Sequence, residues 1–352
     1  MKILIAGLGS IGQRHARNLR AIAGGGVELI AYRVRGGRSV IGDDGGGATP
    51  EEAYGIRSFT NIDQALAERP RAVIVANPTA GHLEVARRAV EASCDVFIEK
   101  PLAAEWAGVA SLVDEVDRRG LVAMVGYSYR FHPALHRFRQ LLLDVEAVGP
   151  VVAARIEFGE YLPAWHPWED YRESYAARRA LGGGVLLTQI HDLDYACWCW
   201  GSPARVYAAG GRLSSLETDV EDVASVLLEY PRPHGMFPVH VQLDYVQRPP
   251  VRRCEVVGER GRLTLDLGTG GVTLVQPDGV TTQEILDADR NEVFVNEMRH
   301  FLECVERRSE PAVTLRAGAM SLAVALAARE SLLTGRAVQP ASIAPLARVS
   351  SR

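Results

Sequence analysis

The sequence predicts an α/β chain in two parts. Residues 1–125 read as a parallel, doubly wound sheet, residues 126–336 as an α+β part built on a mainly antiparallel sheet, and residues 337–352 as a tail. Three observations carry this reading. Short apolar runs alternate with helical patterns through the first third of the chain, which is how strands joined by crossover helices are written. Beyond about residue 126, strand-like segments follow one another through turns, Pro231-Arg232-Pro233-His234-Gly235 and Glu259-Arg260-Gly261, as in hairpins. Gly7-Leu8-Gly9-Ser10-Ile11-Gly12 stands directly between the first strand and the first helix. A length of 352 residues also exceeds one typical domain.

In chain order, strands are expected at 2–6, 27–32, 72–76, 96–98 and 121–125, with helices at 11–23, 61–67, 81–92 and 106–118 between them. Thr60 and Asp63 have the spacing of a capping box. Residues 35–50, with Gly-Asp-Asp-Gly-Gly-Gly, read as a mobile loop. The second part should place strands at 151–158, 206–213, 224–230, 239–246, 254–257, 262–267 and 272–275. A helix over 184–200 interrupts them. Helices at 293–306, with Phe294, Met298, Phe301, Leu302 and Val305 on one face, and at 317–333 follow. There is no internal repeat.

Composition excludes several function classes. The chain is 47% apolar with a net charge of −4 and no basic tract, so nucleic acid is not an expected partner. No apolar run approaches the roughly 18 residues of a membrane span. The run at Ile3-Leu4-Ile5-Ala6 is too short for a signal peptide and leads straight into a folded motif. Five cysteines, an odd number in a large chain, point to reduced thiols and a cytoplasmic protein. Cys197-Trp198-Cys199 lacks a second Cys/His pair at ligand spacing, so core packing is expected there and no metal site.

Two features carry chemistry. Only Lys2 and Lys100 among the 39 basic residues are lysines. Guanidinium does not deprotonate in proteins, whereas an ammonium exchanges protons once burial or a neighbouring cation lowers its pKa. Lys100, after the apolar run Val96-Phe97-Ile98, is therefore the candidate acid/base. Gly7, Gly9 and Gly12, with the helix N-terminus at Ser10 and Ile11, form a dinucleotide-binding turn. The glycines provide the tight turn, close approach to pyrophosphate and helix–strand packing. The second strand ends in Tyr32-Arg33-Val34-Arg35. With no acid there for the ribose 2′-hydroxyl of NAD, Arg33 and Arg35 favour the 2′-phosphate of NADP, unless they are solvated loop arginines.

On five pieces the chain resembles the glucose-fructose oxidoreductase/inositol dehydrogenase/rhizopine catabolism (Gfo/Idh/MocA) family. They are Gly7–Gly12; Asn77-Pro78-Thr79 with His82; Glu99-Lys100-Pro101; Gly126-Tyr127 with Arg130-Phe131-His132-Pro133; and Gly182-Gly183-Gly184 followed by His191 and Asp194. The resemblance spans residues 1 to about 335. It implies a Rossmann domain followed by an open, mainly antiparallel sheet that presents the substrate, and a homodimer or homotetramer through that sheet. It also implies hydride transfer, with NAD or NADP, at a hydroxyl-bearing carbon of a sugar, inositol or nucleotide-linked sugar. Lys100 and His191 inherit proton transfer by that match. Asn77, Pro78, His82 and Glu99 are candidates for cofactor contact, with His82 alternatively capping its helix. Tyr127, Arg130, Trp165, Thr188 and Asp194 are candidates for substrate contact, Asp194 equally for a structural role.

One departure stands out. The family pattern places an aspartate four residues before the histidine; here that position is Leu187. Thr188 is a hydroxyl that could orient the substrate instead, and Asp192 falls on a different face from His191. Aromatic Tyr161–Trp168 suits sugar C–H faces or a dimer contact; Tyr171, Arg178 and Arg179 suit an anionic substrate group or are solvated. A redox-neutral enzyme that retains its NAD, and a non-catalytic dinucleotide- or sugar-sensing regulator, are the competing readings.

Overall fold

The computed structural model describes residues 1–34, 40 and 48–343. The first part alternates β1 (Lys2–Ala6), α1 (Ser10–Ala23), β2 (Glu28–Tyr32), α2 (Pro50–Tyr54), β3 (Arg57–Phe59), α3 (Ile62–Ala67), β4 (Ala72–Val75), α4 (His82–Glu91), β5 (Asp95–Glu99), α5 (Val109–Arg119) and β6 (Ala123–Gly126). Its six strands are all parallel, in the order β3-β2-β1-β4-β5-β6. The central strands β4 and β5 are buried along their whole length, as strands must be when helices cover both faces. The chain runs outward from β1 in both directions, so the carboxyl ends of β1 and β4 flank a topological switch point, where such sheets bind ligands.

The second part comprises α6 (Pro133–Leu143), β7 (Val151–Gly159), α7 (Val185–Thr188), α8 (Ile190–Trp200), β8 (Arg205–Gly211), β9 (Val223–Arg232), β10 (Gly235–Asp244), β11 (Val251–Gly258), β12 (Gly261–Asp266), β13 (Gly271–Val275), β14 (Thr281–Ile285), α9 (Arg290–Arg307) and α10 (Leu315–Thr334). Eight strands lie in the order β14-β13-β12-β11-β7-β10-β9-β8. All neighbours are antiparallel except β7 and β10, which run parallel because β7 is inserted between the later strands β11 and β10. The helices α6, α8 and α10 pack against this sheet. The last two helices also return to the first part: α9 packs on α1, and Val125 of β6 donates to Val313 O ahead of α10 at 3.1 Å.

Several expectations are corrected. The cap of α3 is Asn61, whose side chain accepts from Asp63 N, not a Thr60–Asp63 box; a capping box is formed instead by Thr49 with Glu52 on α2. The helix expected over 184–200 breaks at Gln189 into α7 and α8. The tail begins docked: Val338 exchanges both main-chain hydrogen bonds with Val206 at 2.8 Å. The loop expected at 35–50 and the tail beyond residue 343 fall largely outside the described residues, as does Arg35. Among the described residues, no helix is long and apolar enough to cross a membrane.

Candidate active site

The turn after β1 has the stereochemistry of a phosphate cradle. Gly7 sits at φ +103, and a Cβ there would lie 2.7 Å from Ala76 O. A Cβ on Gly12 would lie 1.9 Å from Gly7 O, so this helix approaches its strand as only glycine permits. A Cβ on Gly9 would meet nothing within 4 Å. Gly9 caps α1 without a side chain, so the first N–H groups of the helix, at Ser10 and Ile11, are left to an anion. These residues fit the pyrophosphate of a dinucleotide.

The loops after β4 and β5 flank this turn. His82 sits beneath both: its Nδ1 lies 2.8 Å from Pro101 O and its Nε2 2.8 Å from Asn77 O. It is 2% exposed, so it ties the two loops together instead of reaching into the cleft. Burial pushes its pKa down, while the two carbonyls oppose that shift. The Asn77 Oδ1 is buried with no protein partner, and Pro78 is exposed. Glu99 turns away from the cleft toward α1. Its Oε1 lies 2.7 Å from His15 Nε2, and its Oε2 accepts from Lys100 N at 3.2 Å. Behind it, Glu297 of α9 is fully buried with neither oxygen partnered; burial, then the charge of Glu99, holds its carboxyl well above the usual range.

Lys100 faces the second part of the chain. Its Nζ donates to Thr188 O at 2.7 Å. That carbonyl is available because α7 ends there, and the last carbonyls of a helix lack intrahelical donors. The glycine run docks this helix. A Cβ on Gly182 would meet Thr79 at 2.7 Å, and one on Gly184, at φ +106, would meet Glu221 Oε1 at 2.2 Å. One turn further, His191 stacks on Tyr129 with ring centroids 4.3 Å apart and takes the edge of Tyr127 at 5.8 Å. Burial holds its pKa well below 6.5, with Lys100 and then Arg252 adding repulsion. The ring is therefore a neutral imidazole. Its Nδ1 is buried and unpartnered.

The predicted substrate contacts divide. Arg130 and Asp194 satisfy each other: Nε and Nη2 donate to the two carboxylate oxygens, each at 2.8 Å, and Ser321 adds a third bond. At 6% and 1% exposure they form a buried strut. The Thr188 hydroxyl is taken by Gly184 O and by Tyr245 OH; the main chain of Thr188, not its side chain, meets Lys100. Tyr127 is fully buried under His191. Trp165 packs edge-on against Tyr245, with centroids 5.4 Å apart. Leu187 is 1% exposed, so nothing acidic stands at that position. Arg33 donates to Glu51 Oε1 at 2.6 Å. Arg179 donates to Asp219 O and Arg178 is exposed, while the Tyr171 hydroxyl accepts from Glu217 N.

Three neighbours of the site, Tyr129, Glu160 and Arg252, are not among the sequence candidates, and Asp192 is named there only as lying on a different face from His191. Arg252 donates to Glu160 Oε2 at 2.6 Å and keeps a buried Nε without a partner. Its charge is felt by His191, Asp192 and Tyr129. Burial pushes the Asp192 carboxyl up to about 7, against a hydrogen bond from Tyr195 and the pull of Arg252; its Oδ2 has no partner. Tyr129 lies inside the quoted Tyr127–Arg130 motif, and Asp192 adjoins His191. Nothing local marks Arg252 in so arginine-rich a chain. Among the described residues, no group of three or more His, Cys, Asp or Glu is placed to hold a metal ion.

Comparison with known proteins agrees with this layout. A family described as "Oxidoreductase family, NAD-binding Rossmann fold" matches residues 1–127, and the "GFO/IDH/MocA C-terminal domain" matches residues 137–264. Myo-inositol 2-dehydrogenase of Thermotoga maritima is 29% identical, over 96% of this chain and 98% of that protein. Scyllo-inositol 2-dehydrogenase (NAD(+)) of Bacillus subtilis is 25% identical over 96% of each. The crystal structure of GenD2, from gentamicin A biosynthesis, in complex with NAD is 26% identical. It covers 97% of each chain with a TM-score of 0.78.

Proposed function

Because the chain belongs to the Gfo/Idh/MocA family, and so is an NAD-dependent oxidoreductase of CH–OH groups, we propose that Lys100 and His191 are its acid/base pair. Its substrate is a sugar, cyclitol or nucleotide-linked sugar. One observation carries the assignment. Lys100, on the first sheet, binds the main chain three residues before His191, on the second part, and its charge depresses the pKa of that ring.

The turn at Gly7, Gly9 and Gly12 would hold the pyrophosphate, and a nicotinamide bound beside it supplies a hydride acceptor or donor. The protein's own task is the proton. In oxidation the neutral amine form of Lys100 takes the proton of the reacting hydroxyl, and in reduction its ammonium form returns one, within hydrogen-bond reach of that oxygen. His191, kept neutral by burial and two cations, has a lone pair for the same proton. Tyr129 and Tyr127 hold the ring in place.

The finer reading of cofactor is NADP. The second strand ends without an acid, and Arg33 follows it. A competing observation favours NAD: the guanidinium of Arg33 is already held by Glu51. Arg33→Ala should lower kcat/KM with NADP more than with NAD; equal loss, or a wild-type preference for NAD, ends the NADP reading. The sheet face opposite α6, α8 and α10, which exposes Tyr207, is the surface for a homodimer or homotetramer. Five unpaired cysteines accord with a cytoplasmic protein.

Lys100→Arg preserves the charge and removes proton exchange. Turnover should fall by about two orders of magnitude or more with cofactor affinity unchanged. Near-normal turnover in that variant overturns the assignment.

A further inference from the structure

Three buried polar atoms in this cleft have no protein partner: His191 Nδ1, Asp192 Oδ2 and Arg252 Nε. They belong to one cluster, since the charge of Arg252 acts on both His191 and Asp192. Buried polar groups are normally satisfied, and each exception calls for a ligand, an ion or a water. Three orphans in one cluster, one of them on His191 itself, mark a recess that the polar atoms of a ligand would satisfy.

The charge of the recess narrows the ligand. Lys100 and Arg252 are the two cations whose charges act on the His191 ring. Position 187, four residues before His191, is a buried Leu and adds no negative charge. Glu160 is the one carboxylate bound to Arg252 among the described residues, and it occupies Nη2 only. A guanidinium offers parallel N–H donors that match the two oxygens of a carboxylate. Here the Nε donor next to the occupied Nη2 is open. A neutral imidazole with its proton on Nδ1 adds a second donor without an acceptor. A phosphate would present three oxygens to this short donor set, whereas a carboxylate presents two.

We infer that the substrate is a polyhydroxy acid. Arg252 and His191 hold its carboxylate while a carbinol of the same molecule faces Lys100. This rests on the acid/base reading of Lys100 and His191 given above, and it makes Arg252 the residue that sets specificity.

The test measures kcat/KM by nicotinamide absorbance for matched probes: D-galacturonate against D-galactose, with D-glucose 6-phosphate and myo-inositol as further arms. Wild-type protein should prefer galacturonate to galactose by about 10- to 100-fold, the range of one charge-assisted hydrogen bond. Arg252→Met should reduce that ratio by a similar factor, chiefly through KM, and Arg252→Lys should restore only part of it. Equal or better use of galactose or myo-inositol by the wild type overturns the inference and leaves the oxidoreductase reading intact. Preference for the sugar phosphate also overturns it. If none of the four is turned over, calorimetry on the cofactor-loaded protein decides. Galacturonate binding at least about tenfold tighter than galactose, one such hydrogen bond, supports the carboxylate site, and equal binding refutes it.

Discussion

The phosphate turn and the Lys100 cleft lie at the same end of the six-stranded sheet and are built by opposite means. The turn is main chain: three glycines within six residues, two of them excluding any side chain by contact with Ala76 O or Gly7 O. The cleft is side chain: Lys100 after β5, Tyr129 before α6, Glu160 after β7, His191 and Asp192 on α8, and Arg252 on β11. A main-chain site is specified by its own few residues and tolerates almost no addition. A side-chain site is specified by topology, and its members divide the work. Arg130 and Asp194 hold the frame, and in the function proposed above Arg252 holds substrate while Lys100 and His191 move protons. The difference predicts distinct failures in the two regions.

The largest effect should fall on the frame of the cleft. Arg130→Met leaves the Asp194 carboxylate buried without its bidentate partner. Removing one member of a buried pair costs about 3–5 kcal/mol, measurable by urea denaturation, and the double change Arg130→Met with Asp194→Leu should recover part of the loss. If Arg130→Met instead leaves stability intact and raises KM, the pair belongs to the substrate and the division drawn here fails. Next comes the turn. Gly12→Ala places a methyl onto Gly7 O, so the first turn of α1 must move off β1. Affinity for NADH, followed by its fluorescence, should fall by about 100-fold, roughly 2.7 kcal/mol. Unaltered affinity would show that the turn tolerates what its geometry forbids.

How much of this was legible in the sequence follows the same divide. Gly7, Gly9 and Gly12 were readable because their meaning is local: strand, turn and helix lie within a dozen residues. Lys100 stood out because arginine had replaced lysine almost everywhere else. The pairing of Arg130 with Asp194 was not legible, because sequence spacing does not reveal that 64 residues apart they bind each other; of the two readings open for Asp194, the ion pair is the structural one. Arg252 was invisible, since its role comes from strand β11 lying beside β7 and under α8. Among elements, the edge strands Arg57–Phe59 and Thr281–Ile285 were missed because they lack an alternating apolar face. The break at Gln189 was missed because apolar residues continue across it. That break frees the Thr188 carbonyl for Lys100.

The smallest of the three effects tests the neutral state of His191. Its pKa in the folded protein lies well below 6.5, first through burial and then through Lys100 and Arg252. Above pH 6.5 the ring is neutral in both folded and unfolded chains and contributes no pH dependence. Below it the unfolded chain binds a proton that the folded chain refuses, so stability falls as pH falls, by about 1.4 kcal/mol per pH unit for one proton. His82, His132, His240 and His300 are also depressed by burial and act in the same direction. Asp192 acts against them. Its carboxyl is raised from 3.8 to about 7, so its contribution is complete below pH 3.8 and is lost as pH rises through 7. The wild-type profile mixes these slopes, and only a difference isolates one residue. Urea denaturation of the wild type and of His191→Asn at steps between pH 7.5 and pH 5 should give a gap that changes by about 1.4 kcal/mol per unit below pH 6.5, with the variant losing less. A gap independent of pH would mean that His191 takes up its proton below pH 6.5 as readily in the folded protein as in the unfolded chain. It would then stand in the cleft as an acid beside two other cations, and the recess around Arg252 would be still more strongly drawn to an anion.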